Sequence, residues 1–130
     1  MEDSIFSKIV RGEIPSHKIY EDDRVLAFLD IHPQVEGHVL VIPKVQVEFL
    51  WDLEADDYRA VTDAAKKVAL HLRSALNVPY VGEKVIGLDI PHAHIQLIPF
   101  TNIDEYLRSS DMEKEPDHTR LAEIAAKIRL

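Results

Sequence analysis

A chain of 130 residues with 23 acidic against 15 basic side chains and a formal net charge of −8 is long enough to bury a substantial core as one domain spanning residues 1–130. Its acidity argues against a nucleic-acid backbone or an anionic membrane as the main partner, while a small phosphate ligand held by local donors remains compatible. The lack of cysteine excludes a disulfide framework and thiol redox chemistry; with no membrane-length apolar run and no signal-peptide pattern near Met1, a cytoplasmic chain is expected.

In chain order, residues 4–11 (SIFSKIVR) place Ile5, Phe6, Ile9 and Val10 at helical offsets behind Ser4, an N-cap residue. Gly12 ends this helix and Pro15 prevents its resumption. Residues 17–21 and 25–30 read as strands joined by a polar turn. Residues 30–37 form a loop punctuated by Pro33 and Gly37, and 38–43 (HVLVIP) read as a central strand. The three strands make an antiparallel meander. His38, taken alone, reads as a structural histidine.

Residues 44–53 are irregular, with Phe49, Leu50 and Trp51 as an apolar knot. The longest helix is expected over 55–76, where Val61, Ala64, Ala65, Val68, Leu72, Ala75 and Leu76 form one stripe. Glu54, Asp56 and Asp57 at its start and Arg73 at its end suit the helix dipole. A strand over 80–89, bent near Gly82 and Gly87, leads into Pro91–Phe100. Residues 101–115 read as a polar, acidic loop. Pro116 is expected near the first turn of a last helix carrying Leu121, Ile124, Ala125 and Ile128 on one stripe. The fold class is α+β, one antiparallel sheet covered by helices.

Residues 91–100 (PHAHIQLIPF) alternate polar and apolar side chains, the pattern of a half-buried strand. His92, His94 and Gln96 share one face; Ala93, Ile95 and Leu97 take the other. Two histidines on one strand face admit three readings: structural or solvated imidazoles, metal ligands, or a nucleophile with its orienter. A metal site would normally want a third ligand, and glutamine is a poor one. A carboxamide is well suited to donate N–H to a phosphate oxygen, so the pattern leans toward phosphate chemistry.

The segments Ile5-Phe6-Ser7-Lys8-Ile9, Phe28-Leu29-Asp30-Ile31, Gly37-His38-Val39-Leu40-Val41-Ile42-Pro43 and His92-Ala93-His94-Ile95-Gln96 together resemble the histidine triad (HIT) superfamily, in order and spacing, over about residues 4–100. The resemblance implies a HIT-like fold: an antiparallel sheet of about five strands with one long helix and short terminal helices. It implies a homodimeric nucleotidyl hydrolase or transferase that uses no cofactor and no metal. Its partner would be a purine nucleotide or nucleotide conjugate, of the phosphoramidate or dinucleoside polyphosphate class. By the same resemblance His94 matches the nucleophile that forms a nucleotidyl-histidine, His92 its orienter, and His38 a further histidine beside them. Asp30 matches the acid that holds the ribose hydroxyls, and Phe6, Ile9, Phe28 and Ile31 match the base pocket.

The sequence departs from the family pattern in four places. Gln96 occupies the third triad position, as in the transferase and phosphorylase branches. Asp89 stands near the leaving group where many hydrolases carry serine. Residues 80–87 hold no counterpart of a frequent asparagine, and Ser7 replaces a frequent cysteine, so the zinc of some relatives is not expected. Gln96, Asp89 and the missing asparagine support an alternative: a catalytically weak nucleotide-binding or regulatory protein on the same scaffold.

Overall fold

The computed structural model describes residues 2–130. Its first helix, α1 (Ile5–Val10), begins where the Ser4 hydroxyl accepts the Ser7 N–H at 2.9 Å, satisfying a backbone donor that the first turn leaves unpaired. Gly12, at φ +79°, turns the chain out of the helix through the left-handed region that a Cβ disfavours.

β1 (Lys18–Glu21), β2 (Val25–Leu29) and β3 (Val39–Pro43) form the expected meander. With β4 (Tyr80–Lys84) and β5 (Ile95–Phe100) they complete one antiparallel sheet in the order β1-β2-β3-β5-β4. β2 and β3 are buried throughout, because both sheet faces are covered there. On one face Ala27, Leu29, Val39, Val41, Ile95 and Leu97 meet α2 (Ala55–Ala75) and α4 (His118–Ile128) through Val61, Ala65, Val68, Leu72, Leu121 and Ile124. On the other, Leu26, Phe28, Leu40 and Ile42 meet Phe6 and Ile9 of α1. Each such side chain contributes roughly 1.5–3 kcal/mol on burial, so α1, short as it is, is held by tertiary packing rather than by propensity.

The structure corrects three boundaries. The last strand starts at Ile95, not Pro91: the Ala93 N–H is drawn out of the ladder to the Val47 carbonyl at 2.7 Å, and His92 N–H turns back to Ile90 at 2.8 Å. The two faces nevertheless hold, since Ala93, Ile95 and Leu97 enter the core while His92 and His94 both face the Phe6 ring, at 5.9 and 5.4 Å between centroids. The strand expected over 80–89 ends at Lys84, and residues 85–89 leave the sheet. The loop expected over 101–115 contains α3 (Ile103–Leu107), started by a reciprocal capping box between Asn102 and Glu105. Pro116 lies near the first turn of α4 as expected, directly before its N-cap Asp117. No helix among the described residues is long and apolar enough to cross a membrane.

Candidate active site

The sheet face covered by α1 opens into a cleft of about 540 Å³. Phe6, Ile9, Phe28, Ile31, Leu40 and Ile90 provide its apolar lining. Phe6 and Phe28 meet edge to face at 5.4 Å, which fixes both rings. Asp30, Lys84, Asp89, His94 and Gln96 provide the polar lining. The expected base-pocket and ribose residues thus surround one space with the expected nucleophile. His92 and His38 stand behind this lining, both essentially without solvent exposure.

The protons on the imidazoles follow from their partners. His94 Nδ1 lies 2.8 Å from the His92 carbonyl oxygen, which can only accept, so Nδ1 carries the hydrogen. The His94 lone pair is therefore on Nε2. His92 Nε2 lies 2.7 Å from the Pro43 carbonyl and must donate to it. His92 Nδ1 then carries a lone pair, which the Ser4 hydroxyl meets at 2.8 Å. With both nitrogens engaged, the neutral His92 ring has no lone pair left for a metal. Among the described residues no three histidine, aspartate or glutamate side chains come together as a metal ligand set.

His38 is fixed in the same way from the other side. Its Nδ1 accepts the Gln34 backbone N–H at 3.0 Å, so Nε2 carries the hydrogen and donates it to Gln96 Oε1 at 3.0 Å. That bond turns the Gln96 carbonyl toward His38 and leaves the carboxamide nitrogen with two N–H groups to donate. Asp30 Oδ2 lies 3.6 Å from His38 Nε2, and Asp30 Oδ1 accepts the His32 N–H at 2.8 Å. Burial pushes His38 below the ordinary imidazole pKa; Asp30 and the Gln96 bond oppose this, and Lys84 adds to it. Burial likewise lowers His92, opposed by the Pro43 bond and reinforced by neighbouring His94. Both rings are thereby kept neutral, in agreement with their hydrogen bonds.

Sequence reasoning missed several supporting residues. Gln34, 4% exposed, accepts the Lys84 ammonium at 2.7 Å through Oε1 and donates to the Tyr106 carbonyl, linking the Asp30 loop to β4 and α3. Gln46 joins Ser4 and Ser7 to the Pro91 carbonyl. No periodicity or motif marks either glutamine; only the folded chain brings them to the site. The Lys84 ladder position opposite Gln96 could have been found from the β4–β5 register. Asp89 lies on the cleft wall and is exposed.

The geometry has counterparts in known proteins. The chain is 46% identical over 104 residues to the purine nucleoside phosphoramidase of Escherichia coli, covering 75% of this chain and 87% of that protein. It is 38% identical over 125 residues to the adenosine 5′-monophosphoramidase of Saccharomyces cerevisiae, covering 95% and 79%. The crystal structure of a Hit-like protein involved in cell-cycle regulation from Bartonella henselae superposes with a TM-score of 0.82 at 33% identity, over 98% of this chain and 95% of that one. The family model described as the HIT domain matches residues 11–103. The chain belongs to the HIT family.

Proposed function

We propose that this chain is a nucleotidyl hydrolase or transferase that cleaves purine nucleotide conjugates at the α-phosphate through a covalent nucleotidyl-His94. The observation that carries the reading is the bond from His94 Nδ1 to the His92 carbonyl, which leaves the Nε2 lone pair on a ring that lines the cleft. In the first step that lone pair attacks phosphorus, a P–N bond forms, and the bond to the leaving group breaks with its electron pair; the departing group takes its proton from solvent. In the second, water or another acceptor attacks phosphorus, the P–N bond breaks, and neutral His94 returns. Splitting one displacement into two lowers each barrier.

The other residues have matching roles. The Gln96 N–H groups stabilise charge on the phosphoryl oxygens. Asp30 accepts from the ribose hydroxyls, and Phe6, Ile9, Phe28 and Ile31 enclose the base. Relatives named for phosphoramidase activity support a nucleoside phosphoramidate as the test substrate.

The test is single-turnover reaction with adenosine 5′-phosphoramidate. Wild-type protein should accumulate label on His94. His94→Ala should abolish turnover and leave AMP affinity within about tenfold, since the lost group acts in the chemical step. Wild-type turnover in His94→Ala would remove His94 from the nucleophile's role.

A further inference from the structure

The start of α1 meets the segment leading into β5 at a polar cluster of buried Ser4, Ser7 and His92 with half-buried Gln46. Ser4 is 4% exposed and His92 0%. Because His92 Nε2 must donate to the Pro43 carbonyl, its Nδ1 can only accept. Two hydroxyls lie near that nitrogen. The Ser7 hydroxyl is 3.4 Å from it but 2.7 Å from Gln46 Oε1, so its hydrogen goes to Gln46. The Ser4 hydroxyl is 2.8 Å from His92 Nδ1, and its next hydroxyl neighbour, Ser7, is farther at 3.3 Å. Ser4 therefore serves two masters at one oxygen: it accepts the Ser7 N–H as the helix N-cap and donates its own hydrogen to His92.

The anchored ring belongs to the residue whose carbonyl orients the nucleophile. The peptide between His92 and Ala93 is bonded at both ends, its N–H to Val47 at 2.7 Å and its C=O to His94 Nδ1 at 2.8 Å. Gln46 closes the frame. It accepts the Ser4 N–H at 3.0 Å and donates to the Pro91 carbonyl at 3.2 Å, tying the beginning of α1 to the residue before His92.

We infer that Ser4 is a positioning residue for the reaction at His94: its hydroxyl donates to His92 Nδ1 and anchors the ring in the tautomer that the Pro43 carbonyl sets, and the ring so held fixes the carbonyl that keeps the His94 lone pair on Nε2. The inference rests on the reaction proposed above. Ser4 touches no reacting atom; it acts through His92. The competing role is purely structural, because Ser4 caps the helix that carries Phe6 and Ile9 into the cleft. Loss of the cap alone would disturb the base pocket and weaken nucleotide binding.

Three substitutions separate the roles. Ser4→Thr keeps both the cap and the hydroxyl hydrogen. Ser4→Asp keeps the cap, since aspartate caps well, but an ionised carboxylate cannot donate to Nδ1. Ser4→Ala loses both. The readouts on the full chain are the ring ¹⁵N shifts of His92 by NMR, the kcat for adenosine 5′-phosphoramidate, and the Kd for AMP. Wild-type protein and Ser4→Thr should show the Nε2–H tautomer at His92 and similar kcat. Ser4→Asp should convert His92 to imidazolium at neutral pH. Both Ser4→Asp and Ser4→Ala should lose about ten- to a hundredfold in kcat, the range found when partners that orient metal-bound imidazoles are removed; AMP affinity should stay within about twofold of wild type in Ser4→Asp and fall in Ser4→Ala, which also loses the cap.

An Nδ1–H tautomer at His92 in the wild-type protein overturns the inference without any variant. So does a Ser4→Ala or Ser4→Asp protein with unchanged kcat, or a Ser4→Asp protein whose AMP affinity falls in parallel with its kcat. Absence of phosphoramidate turnover and of His94 labelling in the wild type would defeat the proposed reaction instead. The His92 ring spectra of wild type and Ser4→Asp would still decide whether Ser4 donates to His92 Nδ1.

Discussion

At Gln96 a neutral side chain stands where a histidine would titrate near neutral pH. Its carbonyl is occupied by His38 Nε2–H, so what it offers a phosphate is an N–H donor and never an acid. It can stabilise a nucleotidyl-His94 but cannot hand a proton to a departing group. Gln96→His, a change of similar volume, should shorten the life of the labelled intermediate and raise hydrolysis relative to transfer onto phosphate. Rapid-quench trapping of both forms measures this; equal decay rates, with no preference for phosphate over water in the parent, would sink the transfer bias. Asp30 carries a second expectation at the same scale. One of its oxygens already accepts from His32 N–H, and the remaining lone pairs suit vicinal hydroxyls. A lost hydrogen bond to a charged group costs about 1.5–3 kcal/mol, so AMP should bind roughly ten- to a hundredfold tighter than its 2′-deoxy analogue. Equal affinities in calorimetry would take Asp30 out of the ribose role.

Among the elements, α1 matters most for the site despite its brevity, because it supplies Phe6 and Ile9 to the cleft and Ser4 to His92. α3 depends on a contact that only glycine permits. A Cβ built on Gly82 of β4 would fall 2.1 Å from Cε1 of Tyr106, whose ring also packs on Phe100 at 5.0 Å. Gly82→Ala must therefore displace the Tyr106 ring and with it α3, whose Tyr106 carbonyl holds Gln34. Overpacking of this kind costs about 1–3 kcal/mol. The expected result is a lower denaturant midpoint for Gly82→Ala, and no further lowering when the same change is made in a Tyr106→Ala background. A Gly82→Ala protein as stable as the parent would show that the ring has room to move.

Across the whole molecule, burial holds His38 and His92 below the ordinary imidazole value of about 6.5. The unfolded chain then binds protons that the folded chain refuses. Their contribution to stability is complete above about pH 6.5 and is lost as pH falls from there toward the folded-state values. The melting temperature should drop between about pH 7 and pH 5, before most carboxylates titrate. A midpoint that stays level or rises over that interval would contradict neutral, buried imidazoles.

Much of this architecture is determined by local pattern. The stripe on α2, the β-branched run of β3, the alternation around His94 and the N-cap at Ser4 each depend on residues a few positions apart, and physical chemistry reads them directly from the chain. The motif segments that resemble the HIT family carried the expectation that Asp30, Phe6, Ile9, Phe28 and Ile31 belong with His94, and the fold brings them to one cleft. The tertiary structure decided what depends on distant partners. Strand β5 begins late because Val47 draws off the Ala93 amide. Gln34 and Gln46 enter the site through bonds to residues tens of positions away. Which nitrogen of each imidazole carries the proton is decided by carbonyls at Pro43 and His92 and by an amide at Gln34. A histidine's tautomer is set by the groups that face it in space, and the order of residues along a chain does not contain that information until the chain has folded.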